Sequence, residues 1–222
     1  MNRIYNSWVF IVSVIVLLYT FFNYMYETFG IFVKVAPFVE TFPKEYVYGF
    51  TALFIFLLNV RRAYKKWTGM SVVNQTERFI FNVHISKDRR QTVVLNNTLE
   101  ILTFLILAIA FVRLSIDATI VSLVLFIVII DMGINFFLGI QKNKYRIGMT
   151  KKAIVSADRE VLPIYFKGLK RVTKQGIRLY FEYVNDLVLD FNLESLPPEK
   201  QEEFLALLRK TVDEKKVYFS GF

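Results

Sequence analysis

The chain has 222 residues, 55% of them hydrophobic and 17% aromatic, and carries 28 lysines and arginines against 19 acids. With no cysteine there is no disulfide frame, thiolate nucleophile or cysteine metal site, and the one histidine, His84, excludes a histidine-rich metal centre within a single chain. A basic soluble protein suggests nucleic acid, but 23 Phe and 12 Tyr in so apolar a chain point instead to a membrane protein, whose charge is the lysine and arginine bias of cytoplasmic loops.

Residues 7–26, SWVFIVSVIVLLYTFFNYMY, form the first apolar block. Only one charge, Arg3, precedes it. Large aromatics end it and it has no small-residue cleavage site, so it reads as a retained membrane helix rather than a secretory signal. Trp8, Tyr24 and Tyr26 stand where amphipathic rings prefer the headgroup layer. Residues 27–45 are a polar connection with Lys34 and Lys44 against Glu27, Glu40 and Glu45. Residues 46–60 are a second, shorter block closed by Arg61 and Arg62, which can snorkel to the interface; a re-entrant segment competes with a full span here.

Residues 61–98 read as a basic loop, with Arg61, Arg62, Lys65, Lys66, Arg78, Lys87, Arg89 and Arg90 against Glu77 and Asp88. Within it Phe79, Phe81, Val83 and Ile85 alternate with polar or smaller positions, a strand period that would turn at 87–90 into 91–95. Val72, Val73, Phe79, Ile80 and Val83 also fit one face of a helix lying on the membrane, so a short hairpin and an interfacial helix both remain open.

Residues 99–114 and 118–140 are the third and fourth blocks, and the tight link between them forces an antiparallel helical hairpin. The connection 27–45 is the poorest in bases, whereas the loop 61–98 and the start of the tail, with Lys142, Lys144, Arg146, Lys151 and Lys152, are rich in them. Positive-inside therefore places the long loop, the tail and both termini in the cytoplasm of a multi-pass cell-membrane protein. The expected membrane domain is 1–140 and the cytoplasmic domain 141–222.

In the tail, 145–150, 153–156, 161–166, 177–184 and 187–193 have strand character, with Asn185-Asp186 as a turn. The period then changes. Pro197-Pro198 opens a helix on which Phe204, Leu205, Leu207, Leu208 and Val212 share a face, with acids early and bases late as the helix dipole favours. The expected fold class is thus four transmembrane helices plus an α+β domain of antiparallel strands with a C-terminal helix.

The order Tyr145-Arg-Ile-Gly-Met-Thr150, Val161-Leu-Pro-Ile-Tyr-Phe166, Leu169-Lys-Arg-Val172, Ile177–Phe181 and the helix from Pro198 resembles the bacterial PH-like domains, in particular the YcxB-like and related small membrane proteins. The resemblance covers about half the chain. It implies a PH-like barrel on the cytoplasmic side of a pair of membrane helices, acting as a non-enzymatic binding or scaffolding module, with an immunity or stress-protection role among those such proteins fill.

Two groups of residues are candidates for function. Asp131 is a carboxylate inside the fourth block, and Asn135 lies one turn further along the same face. An ionisable group in a span costs about 2.5–3.5 kcal/mol at the centre and so faces the bundle interior or a wet cavity. The pair serves as interhelical glue, or lines a path in an oligomeric channel or transporter component. The second group is basic. Residues 141–178 hold eleven bases against Asp158 and Glu160, and of these Lys151, Lys152, Lys167, Lys170, Arg171, Lys174 and Arg178 are candidates for docking on anionic membrane lipid or on a protein partner. A partner protein or a homo-oligomer is expected, and nucleic acid is not, because no groove-fitting or aromatic-interleaved basic motif is present. The chain carries no Gly-rich phosphate loop, nucleophile elbow or zinc-protease motif, so neither an enzyme nor a cofactor is expected.

Overall fold

The computed structural model describes residues 44–158, 161–212 and 217–221, together with scattered positions between 11 and 31. In chain order the elements are α1 (Lys44–Val73), β1 (Phe81–His84), α2 (Lys87–Leu114), α3 (Thr119–Gln141), β2 (Arg146–Met149), β3 (Ala153–Ala157), β4 (Val161–Tyr165), β5 (Leu169–Gln175), β6 (Arg178–Tyr183), β7 (Val188–Asn192), α4 (Pro198–Thr211) and β8 (Tyr218–Ser220). They fall into two compact units, one of Met1–Val60 with Leu102–Ile129 and one of Arg61–Ile101 with Ile130–Phe222.

The first unit is helical. Tyr48, Ala52, Ala108, Ala118, Val121 and Leu125 form its core. Small side chains at this contact let helix backbones approach closely, and the Ser122 hydroxyl uses that closeness to donate to the Ala108 carbonyl at 2.8 Å. Tyr48 meets Phe111 edge-on, with ring centroids 6.5 Å apart. Outward-facing Leu53, Phe56, Leu57, Ile106, Ile109, Leu123, Phe126 and Ile127 are exposed, the inverse of a water-soluble bundle. Among the described residues, α2 and α3 are long and apolar enough to cross a membrane, and they contain the third and fourth expected spans. The second expected span, 46–60, is the first half of α1, which runs unbroken to Val73. The first, 7–26, lies largely outside the described residues; the positions described there are helical.

The second unit joins helix ends to two four-stranded sheets. One sheet has the order β1-β2-β3-β4 and is antiparallel throughout. The other has the order β7-β6-β5-β8, with β8 running parallel to β5. Both sheets and α4 contribute to one core, which includes Phe81, Ile147, Ile154, Ile164, Val172, Leu179, Phe181, Phe191 and Phe204. Phe204 of α4 touches both sheets, edge-on to Phe81 and stacked on Phe191, each at 5.4 Å between centroids. Pro198 at the first helical position and the first-turn Glu199 start α4, and Arg209 and Lys210 end it.

The segment expected as a basic loop, 61–98, is instead mostly regular structure. Residues 61–73 continue α1, and 87–98 open α2. Between them β1 is a strand whose core face carries Phe81 and Val83, with Ile85 just beyond it packed against the same core. Its partner is β2, with Phe81 opposite Met149 and His84 opposite Arg146, not the expected 91–95. That local hairpin is prevented by a helix start. The Ser86 hydroxyl accepts from the Arg89 backbone N–H at 3.1 Å, an N-cap that commits the chain to α2 from Lys87 onward. The β fold therefore takes its first strand from before the helical hairpin, whereas the expected cytoplasmic domain began at 141.

Candidate functional site

The polar pair Asp131 and Asn135 of α3 lies in the second unit, and each member has its own partner. Trp67 of α1 donates its indole Nε1–H to Asp131 Oδ1 at 2.8 Å, tying α1 to α3. Asn135 is 3% exposed, and its Oδ1 accepts from the Tyr145 hydroxyl at 3.2 Å. The Asn135 Nδ2 group is buried without a hydrogen-bond partner. Tyr145 reaches this position because Gly139 leaves the space for its ring; a Cβ there would lie inside it. Burial, reinforced by the Asp158 charge, holds the Tyr145 phenol well above its ordinary pKa, so the group stays a hydroxyl donor.

Further polar contacts join the same helix ends. Arg62 of α1 forms a two-pronged ion pair with Glu100 of α2 instead of extending freely to an interface. Asn74 donates to the Lys144 carbonyl at 3.0 Å, and Arg90 to the Ile140 carbonyl at 3.1 Å. Asp131 and Asn135 thus sit in a collar of interhelical hydrogen bonds, where polar side chains act as glue.

The seven basic candidates separate into groups. Lys151 and Lys152 occupy the β2–β3 turn and Lys167 the β4–β5 turn, all exposed. These turns meet. The Phe166 N–H donates to the Lys152 carbonyl at 2.8 Å, and the Val184 N–H, at the β6–β7 turn, to the Gly168 carbonyl at 3.0 Å. The Tyr183 hydroxyl adds a bond to the Tyr165 carbonyl at 2.7 Å. Local chemistry fixes each turn. Thr150 Oγ1 accepts from the N–H groups of Lys152 and Ala153, while Gly168 takes φ +84° and Asp186 φ +58°. Three lysines therefore converge on one tip with apolar side chains facing water beside them: Val184 is 74% exposed and Tyr165 59%, with Leu187 and Val188 also exposed.

Lys170, Arg171 and Lys174 lie along β5, and Arg171 covers the Tyr218 ring with its guanidinium 5.1 Å from the centroid. Arg178 begins β6 at the other end of that sheet, paired loosely with Asp190 at 3.6 Å. It does not join the tip. The tip also lies at the opposite end of the strands from the end where α2 and α3 join them, since α2 follows His84 and α3 precedes Arg146, the pair at one limit of the β1–β2 ladder.

Sequence reasoning missed Tyr165, Val184 and Leu187. The signal was present in Val184-Asn185-Asp186-Leu187, where apolar residues flank a turn that should be polar. It also missed the ion pair of Arg89 with the buried Asp158, which brings together residues with no sequence link. Among the described residues, no group of three or more His, Cys, Asp or Glu side chains is arranged to hold a metal.

No protein-family model matches the chain, and no curated protein or solved structure is similar enough to it to count as a match.

Proposed function

We propose that this chain is a membrane-held docking module without enzymatic activity, with four spans and both termini in the cytoplasm, whose tip of Lys151, Lys152 and Lys167 binds the acidic surface of a protein partner. The lysine and arginine bias of the connections supports the four-span topology. A PH-like reading of the β unit draws support from its order: four antiparallel strands, then three, then one amphipathic helix over a shared core. The role is that of a scaffold or accessory subunit, with immunity or stress protection as the wider setting.

The observation that carries the docking reading is the convergence of the three turns. Cationic side chains around exposed apolar ones give an interface its steering and its buried centre together. A protein partner is favoured over the bilayer that holds the helices, because the tip stands at the far end of strands β1 and β2 from their helix junctions.

The test uses the full chain in nanodiscs of neutral lipid. Capture from native membranes in mild detergent should retain one stoichiometric partner, which Lys151→Glu, Lys152→Glu and Lys167→Glu together release. Vesicles containing anionic lipid should bind the nanodiscs no better than neutral vesicles. Salt-sensitive binding to anionic vesicles, with no partner retained, would replace this reading by a lipid-binding one.

A further inference from the structure

A second place in the β unit has the opposite character from the basic tip. A cavity of about 340 Å³ opens where Arg89, Ser156, Asp158, Asp190, Phe191 and Ser195 come together. It lies between β4, the edge strand of one sheet, and β7, the edge strand of the other. In a chain of net charge +9 its lining holds two carboxylates and one guanidinium. Its size is within the range of small-molecule sites.

The lining groups differ in what they have left to offer. Asp158, whose side chain is 4% exposed, is committed to Arg89, which donates its Nε–H at 2.6 Å. Asp190 is not committed in this way: its base, Arg178, stands 3.6 Å off and both side chains are more than half exposed. Ser156 and Ser195 are 8% and 7% exposed, and both line the cavity. A serine hydroxyl that keeps access to a cavity can donate to or accept from a molecule held there. Phe191 and Leu162 supply an apolar wall.

We propose that this cavity binds a small protonated amine, with the Asp190 carboxylate taking the ammonium group, the Ser156 and Ser195 hydroxyls bonding to it or to a neighbouring polar group, and the carbon skeleton lying against Phe191 and Leu162. The inference is independent of the docking surface, which lies on other turns. Arg89 and Asp158 neutralise one another, so the charge that selects the ligand is that of Asp190.

Calorimetric titration of the purified full chain in detergent tests it, using ethylamine, putrescine and benzylamine, each against the alcohol of the same skeleton. At least one amine should saturate a single site that its alcohol does not occupy. Asp190→Asn should weaken that amine tenfold or more, and Ser195→Ala severalfold, with thermal unfolding of both variants unchanged. Failure of all three amines to saturate, equal binding of the matched alcohol, or unaltered affinity in Asp190→Asn would each overturn the proposal.

Discussion

Arg89 and Asp158 form an ion pair at 2.6 Å, buried on the carboxylate side, that joins the first turn of the long apolar helix α2 to the end of strand β3. Removing one member of such a pair costs more than removing both, because the survivor is a desolvated charge that has lost its counter-ion. Arg89→Ala should destabilise the β unit by about 3–5 kcal/mol. The double change Arg89→Met with Asp158→Leu should recover most of that loss. Denaturant unfolding of the three proteins in the same detergent measures the difference, and equal losses in single and double variants would show that the pair is not coupled.

Gly139 and Tyr145 depend on each other in a similar way. A methyl group at 139 enters the Tyr145 ring, which is buried among Met70, Val93 and the end of α3. Gly139→Ala should cost about 1–3 kcal/mol through overpacking. In a Tyr145→Ala background the same substitution should cost nothing further, since the ring it strikes is gone. Thermal unfolding of the four proteins of this cycle reads out the coupling.

Asp131 acts as an acceptor for Trp67. Asp131→Asn keeps an oxygen for the indole N–H and should leave stability nearly unchanged. Asp131→Leu strands that donor and should cost about 1–3 kcal/mol. The fluorescence of Trp67, read in a Trp8→Phe background, should shift with the second substitution and not with the first. A conducting path through Asp131 would reverse the pattern, with Asp131→Asn abolishing flux in reconstituted vesicles.

His84 sets a pH dependence. Burial first, and then the charge of Arg146, hold its imidazole below its ordinary value of 6.5, outweighing a backbone hydrogen bond at Asn143 that pulls the other way. The folded state therefore takes up a proton less readily than the unfolded chain. Its contribution to stability is complete above about pH 6.5 and falls away as the pH drops below that value toward the lower folded-state pKa. His84→Gln should flatten the unfolding midpoint between pH 7 and pH 5, and Arg146→Gln should lessen its slope.

Legibility varied with the kind of signal. The third and fourth blocks were plain because a long apolar run has few alternatives. β6 was plain because Leu179 and Phe181 alternate inward with polar neighbours. β5 was missed, and its bulge is the reason: a register shift between Leu169 and Arg171 puts the buried Leu169 and Val172 three apart and hides the period of two in a basic stretch. β8 has only three residues and pairs in parallel with a distant strand. At the candidate sites, Asp131 and the lysines were visible as residue types out of place. Their partners Trp67 and Tyr145, the convergence of three turns, and the meeting of Arg89 with Asp158 were not, because each depends on contacts between distant parts of the chain.

The placement of β1 before the helical hairpin and of β2 after it constrains how the molecule is made. A ribosome delivers Phe81–His84 first, then the long apolar helices α2 and α3, and only then the strand that Phe81–His84 must pair with. Until Arg146–Met149 is made and comes back alongside, β1 has no neighbour and Phe81 has no core to enter. Closure of the β unit is thus a late, long-range step in biogenesis that waits on α2 and α3. If α2 and α3 cross a membrane, as their length and apolarity allow, a chain in which one of the two failed to insert would put β1 and β2 on opposite sides and leave the edge of β2 open.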